Sequence, residues 1–484
     1  MKRFARILIF VLLSTLSYSQ SFFPVSQVST FDEIFVDLIQ YDDSILYLFG
    51  TQVKDLYGNK KFRNFVKVID LQGKILSSCF ITNFNENIYL TKYKKDTGGF
   101  FAFGVRYLGN ESENIVIKYD RNFNIKAKKS FLKDSLTGLY AVQDVLEFDS
   151  IFILINYNLH KLQSFPSFSI LKINNDFDSL GSFFSYPYTG IAYSGLMNKN
   201  NGDFRVFTYA YYGLGWGQSV LFDKNLYVKR VDSLPRLLHG FNDAIWITDS
   251  TYLISGKLSG NMNSPNQPFD WDLGIEELDT NTNLLRYKYQ SRVGVEGEPG
   301  WGRNISKVAK NEYYYCGTIN RVVYPVDTSY VVLTKIDSCF NILWEVIIGD
   351  SVNSYDVFGL YTLLDGSALL LIGRFENHTN EYLDAYAYKI SKNGIILSTT
   401  KIFNHREIII YPNPATSTIN ISLEAQGESI AVLRIYDNAG RTLYFSKPGK
   451  AKAAINIKSY ATGVYFLEGR TAKGETFVRK FVKE

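Results

Sequence analysis

Three of the five tryptophans in this chain sit where a side chain has nothing nearby to pack against. Trp216 lies in Gly213-Leu214-Gly215-Trp216-Gly217, Trp271 follows the polar loop 260–270, and Trp301 lies in Gly297-Glu298-Pro299-Gly300-Trp301-Gly302-Arg303. An indole flanked by glycines is poorly placed to fill a core. Beside Glu298 and Arg303 it suits stacking on a sugar ring or anchoring a protein partner. The plainer reading is that these rings cover loop bases or cap a channel, while Trp246 and Trp344, inside strand patterns, belong to the core. Catalysis finds less support. The pair a glycosidase would need is Glu296 or Glu298 with Asp272, and no Ser-x-Asp-x-Gly-x-x-Trp box accompanies it.

Other chemistries are argued against by spacing. His160, His239, His378 and His405 fall in no H-x-x-x-H or H-E-x-x-H arrangement, which speaks against a zinc hydrolase. No G-x-S-x-G elbow is present. Asp279-Thr280-Asn281-Thr282-Asn283 begins like a calcium loop, but Leu284 stands where glycine is needed and Gln290 where the bidentate Glu should be, so a hairpin turn is the better reading. Cys316 and Cys339 fall in one repeat and Cys79 in another, and sequence alone does not pair them. No catalytic residue, metal ligand or cofactor is assigned.

The elements that would carry these loops form a repeat. Val68-Ile69-Asp70, Lys118-Tyr119-Asp120, Lys172-Ile173-Asn174, Leu221-Phe222-Asp223, Glu277-Leu278-Asp279, Lys335-Ile336-Asp337 and Lys389-Ile390-Ser391 each end an apolar strand, spaced 49 to 58 residues apart. A second turn keeps step with them, at Asp42-Asp43-Ser44, Asp96-Thr97-Gly98, Asp149-Ser150, Asn201-Gly202-Asp203, Asp249-Ser250, Lys310-Asn311 and Asp365-Gly366. Four strands per unit, seven times over, predict an all-β fold: a seven-bladed β-propeller over residues 20–403. The expected blades are roughly 31–80, 81–131, 132–186, 187–233, 234–291, 292–350 and 351–403, with residues 20–30 pairing with the last blade to leave no free edge. Asp, Asn and Gly are expected at the turns because they tolerate left-handed backbone. Units such as Ile69-Asp70-Leu71-Gln72-Gly73 loosely resemble repeats of secreted bacterial propellers, a likeness that speaks to fold and not to function.

The C-terminal stretch reads differently. Tyr411-Pro412-Asn413-Pro414 cannot continue a ladder or helix, and short alternating strands follow it, punctuated by Asn438-Ala439-Gly440, Pro448-Gly449 and Lys473-Gly474. That pattern predicts a small β-sandwich over 404–484. The blocks Ile408–Thr416, Ile435–Arg441, Gly463-Val464-Tyr465-Phe466 and Arg479-Lys480-Phe481-Val482-Lys483 resemble the type A sorting domain of proteins exported by the type IX secretion system of Bacteroidetes-type bacteria. Tyr460, where that family often carries Leu, is a mild departure. The resemblance implies recognition by the secretion translocon, sortase-like cleavage near Arg406 or Glu407, and release or a lipopolysaccharide-type anchor.

Lys2, Arg3 and Arg6 before the apolar run Ile7–Leu13, with small residues at Ser17 and Ser19, read as a signal peptide over residues 1–19, and no other stretch is long and apolar enough to span a bilayer. The net charge of +5 is concentrated in these two terminal segments. The middle region therefore lacks the cationic excess of a nucleic-acid binder. The expected protein is an exported, surface-anchored or released propeller that binds a glycan or protein ligand without catalysis. The alternatives are a carbohydrate-active propeller enzyme and a structural envelope or matrix component.

Overall fold

The computed structural model describes residues 25–27, 31–397 and 408–484, apart from 57–58, 110, 132–136, 161–165, 186–190, 199, 210–216, 235–238, 260–270, 291–296, 301, 320–328, 351–352, 377–382, 424–428, 438–441 and 472–475. The chain divides into two units, Met1–Leu397 and Ser398–Glu484.

Among the described residues the first unit holds seven antiparallel sheets in chain order, spanning 32–80, 88–131, 137–184, 191–233, 239–290, 297–348 and 353–390. These are blades 1 to 7. Their innermost strands are Asp32–Gln40, Ile88–Asp96, Thr137–Phe148, Ile191–Met197, His239–Trp246, Ile305–Ala309 and Asn353–Thr362. Each touches the next in a cycle that returns from the seventh to the first, so the sheets form a closed ring. Val25–Gln27 pairs antiparallel with Leu383–Ile390 and supplies the outermost strand of blade 7. Ile396, beyond the last strand of the blade, forms a single bridge to Ile390.

Alternation along the strands places the core between blades. Each of the seven junctions holds its own apolar cluster, such as Phe49, Val66, Ile88, Leu90 and Phe100 between blades 1 and 2. Val25 joins the cluster that seals blade 7 against blade 1. Because every blade buries both faces, no blade is stable without its neighbours.

The turns after the third strands correct the expectation about left-handed backbone. Asp70, Asp120, Asn174, Asp223, Asp279 and Asp337 do not adopt it. Their side-chain oxygens accept the N–H groups of the residues two and four positions on, as Asp120 Oδ1 does from Asn122 and Asn124 at 2.9 Å each. The left-handed residue lies three positions after the anchor: Gly73, Phe123, Phe177, Leu226, Thr282, Phe340 and Gly394, with φ between 64° and 88°. Five of these carry a Cβ, which costs about 1–2 kcal/mol. Phe177, Leu226 and Phe340 are buried between blades, and burying such a ring or branched chain returns about 1.5–3 kcal/mol. Packing therefore outweighs backbone preference. The expectation holds in the first hairpins, where Asp149, Ser150, Gly202 and Gly366 do take positive φ.

All three cysteines are free, Cys316 being buried in its strand and Cys339 exposed in a turn. Among the described residues no helix is long and apolar enough to cross a membrane.

The second unit packs a three-stranded sheet (Ile408–Tyr411, Thr418–Leu423, Lys452–Asn456) and a four-stranded sheet (Thr442–Ser446, Ile430–Tyr436, Gly463–Thr471, Thr476–Lys483) around Ala415, Ile419, Leu433, Ile435, Tyr465 and Phe481. It is the predicted small sandwich. Tyr411, Pro412, Asn413 and Pro414 are exposed, and both prolines follow cis peptide bonds. Asn413 Oδ1 accepts the Val482 N–H at 2.9 Å, so this motif fastens the entry segment to the last strand. Gly463 opens a strand, and buried Tyr465 donates its hydroxyl to Ala461 O at 2.7 Å. Tyr460, the departure from the family pattern, packs its ring 5.3 Å from that of Tyr465. Gly440 lies outside the described residues; Lys480 is described only as main chain within Thr476–Lys483.

Candidate functional site

Every innermost strand breaks its ladder with an extra residue, those of blades 3 and 5 twice, as between Phe35 and Asp37, Val142 and Asp144, and Phe241 and Asp243. A bulge re-aims the side chain beside it. In blades 1, 3 and 5 that side chain is an aspartate used as a clasp. Asp37 accepts the Leu38 N–H at 2.9 Å and, across the blade junction, the Tyr93 N–H at 2.7 Å. Asp144 does the same with Val145 at 2.8 Å and Gly195 at 3.0 Å. Asp243 takes Ala244 at 2.9 Å, then Asn304 at 3.0 Å and Ile305 at 3.1 Å. Each clasp neutralises main-chain donors that the bulge would otherwise leave unpaired near the axis.

Blade 6 departs from the pattern. Its inner edge is split into Gly297–Pro299 and Ile305–Ala309, both paired with Glu312–Ile319. The residues between them press against the inner strand of blade 7. A Cβ on Gly300 would meet Val357 Cγ1 at 1.8 Å, and one on Gly302 would meet Phe358 O at 2.0 Å. Asn242 of blade 5 donates to Gly300 O, and Cys316 N–H to Asn304 O at 2.9 Å. Glycine is required here so that backbone can lie on backbone, and the outcome is to deliver Arg303 into the central channel.

Arg303 is exposed to a cavity of about 880 Å³. The cavity lies among the C-terminal halves of the inner strands, so it opens toward the hairpins that follow them. Lys94, Asp144, Glu147, Asp243, Trp246 and Tyr361 share its wall with Arg303. Burial opposes the charge of Arg303, but Tyr361, Asp144, Asp37 and Asp243 outweigh it and hold the guanidinium more firmly protonated than usual. Burial pushes Asp243 up to about 6 against the pull of Arg303. The Lys94 ammonium is moved down, by burial first and then by Arg303. Tyr361 is raised by burial and donates its hydroxyl to Asp37 Oδ1 at 2.7 Å.

Of the ligand residues expected from sequence, Arg303 alone has a described side chain, and it stands in the channel. Trp216 and Trp301 lie outside the described residues. Trp271 is described as the first residue of strand Trp271–Asp279 and Glu298 as the middle of Gly297–Pro299, with main chain only. Asp272, which the carbohydrate-active alternative needed in an open cleft, is buried. Asp279 is the turn anchor, accepting Asn281 N–H at 2.7 Å and Asn283 N–H at 2.9 Å. Lys94, Asp144, Asp243 and Tyr361 escaped the sequence reading. The signal that could have found the aspartates was Asp37-Leu38, Asp144-Val145 and Asp243-Ala244 recurring in the first strands of alternate repeats.

Residues 409–484 match the family described as secretion system C-terminal sorting domain. No curated protein sequence matches the chain. Among solved structures, the β-propeller domain of the trilobed protease from Pyrococcus furiosus is similar at 11% identity and TM-score 0.41, covering 77% of this chain and 97% of that one. Hydrazine synthase from Kuenenia stuttgartiensis is similar at 8% identity and TM-score 0.46, covering 78% and 98%. An acylaminoacyl peptidase from Pyrococcus horikoshii is similar at 12% identity and TM-score 0.42, covering 81% of this chain, which spans only 58% of the peptidase. The propeller assignment rests on strand pairing and not on these matches. The C-terminal segment is a type IX secretion sorting domain, and the propeller it follows is exported to the cell surface or the extracellular medium.

Proposed function

We propose that the exported propeller is a binding protein without catalytic activity and that the central cavity is its recognition site. One observation carries this reading: Arg303 and Lys94 face the cavity with no hydrogen bond or ion pair to the described residues, while the carboxylates of Asp144 and Asp243 are engaged by main-chain N–H groups. Donors free to meet a ligand beside acceptors already committed describe recognition. Proton transfer needs a carboxylate within reach of a reacting atom. Size agrees, since small-molecule sites occupy about 300–1,000 Å³. Trp216, Trp271, Trp301 and Glu298 stand as a second contact surface for a glycan or protein, carried by sequence alone. The sorting domain implies the secretion translocon and its processing enzymes as further partners.

A second reading has its own observation. Burial pushes Asp243 up to about 6, the range a general acid needs, which suits a carbohydrate-active enzyme. A glycan array probed with the purified full chain, followed by turnover assays on every hit, separates the two. Binding that persists without product formation supports the proposal. Product formation abolished by Asp243→Asn with binding retained would replace it with the enzyme.

A further inference from the structure

We infer that the cavity takes a saccharide bearing a carboxylate, a uronic acid, with the acid group seated between Arg303 and Lys94. This deepens the channel reading and rests on it. Arg303 and Lys94 line the cavity, and among the described residues neither makes a hydrogen bond or an ion pair, although the guanidinium lies 5.9 Å from the centroid of the Tyr361 ring. Lys94 gives up part of its proton affinity to burial first and to Arg303 second, against the pull of Asp144, Asp37 and Glu147. Carboxylates nearby offset the two charges through space, but among the described residues the N–H donors of both cations lack a close acceptor, and an anion satisfies them. A planar guanidinium fork matches a carboxylate bidentately, and an ammonium adds a point charge. The carboxylates nearby do not fill that role: Asp37, Asp144 and Asp243 raise the proton affinity of Arg303 through space but form no ion pair with it.

The rest of the wall suits a polyhydroxylated frame. Glu147 presents acceptors for hydroxyl groups, and the half-buried indole of Trp246 lines the same cavity. That ring is fixed in orientation because its Nε1–H donates to Met197 O at 2.8 Å and it packs T-shaped against the Tyr252 ring. A rigid aromatic surface beside a charged fork describes an acidic sugar better than a simple carboxylic acid, which would leave the indole and the acceptors without contact.

The test is calorimetric titration of the full chain with a trigalacturonate, its neutral methyl ester and an acidic peptide. The expected result is binding of the trigalacturonate, at least tenfold weaker binding of the ester, and at least tenfold loss of trigalacturonate affinity in Arg303→Gln and in Lys94→Gln. Should Arg303→Gln fail to fold, Lys94→Gln at the cavity wall carries the test. Equal binding of the ester, preference for the peptide, or no trigalacturonate binding at millimolar concentration overturns the inference. A cavity-blocking Glu147→Trp variant separates this failure from that of the channel reading. If the ester binds wild type and Glu147→Trp abolishes it, the channel stands and the acid anchor falls. If Glu147→Trp leaves all binding intact, the channel reading falls as well.

Discussion

Glu276 makes this propeller less stable as pH rises, and the size of the effect follows from its surroundings. It lies in strand Trp271–Asp279 on the same face as Leu278, which packs into the junction of blades 4 and 5. It is wholly buried, and neither carboxyl oxygen has a hydrogen-bond partner among the described residues. Burial pushes it from 4.5 up to about 8. Between those values the unfolded chain has lost the proton and the folded chain keeps it, so stability is fully present below 4.5 and declines until pH passes about 8. At roughly 1.4 kcal/mol per pH unit, the total is about 5 kcal/mol. Glu276→Gln preserves shape and cannot ionise. Guanidinium unfolding of the full chain at pH 5, 6, 7 and 8, followed on the propeller transition, should show the variant gaining on wild type by several kcal/mol across the series. Asp243 contributes equally to both proteins and cancels in the difference. A wild-type-to-variant difference that does not change with pH would refute the reasoning.

Three further outcomes are expected. Gly302→Ala, whose methyl would meet Phe358 O at 2.0 Å, should cost about 1–3 kcal/mol by overpacking and should weaken any ligand that depends on Arg303; denaturant midpoints and titration measure the two effects separately. Phe177→Ala should cost about 3–5 kcal/mol, and Phe177→Gly about 1 kcal/mol less, because the position is left-handed; the reverse order would mean that backbone strain is absent there. Deleting residues 407–484 should strand a folded propeller in the periplasm, whereas normal surface levels on fractionation would contradict the sorting role.

The ring was legible because its defining residues repeat. Seven Asx or Ser anchors mark the same hairpin seven times, and blade number and closure followed from their spacing. The reason offered for those anchors was incomplete. Sequence shows an aspartate at a turn, but it does not show that the left-handed residue three positions later is a phenylalanine held by the next blade. The sorting domain was legible for the opposite reason, since its motifs are local and Asn413 acts within its own small unit. The channel was mostly hidden. Asp37, Asp144 and Asp243 meet Arg303 only because the ring brings blades 1, 3, 5 and 6 to one axis, and no spacing along the chain encodes that meeting. Arg303 was found for its neighbourhood in a glycine-rich loop. Its real determinant is the pair Gly300 and Gly302, which lets the backbone lie against blade 7.

What occupies the channel decides most directly whether Arg303 and Lys94 form a recognition site. A crystal structure of the full chain soaked with trigalacturonate should place the saccharide in the cavity, its carboxylate within hydrogen-bond distance of both Arg303 and Lys94 and a ring face against Trp246. An empty cavity, with the saccharide held only at the loops bearing Trp216, Trp271 and Trp301 or nowhere on the propeller, would contradict it.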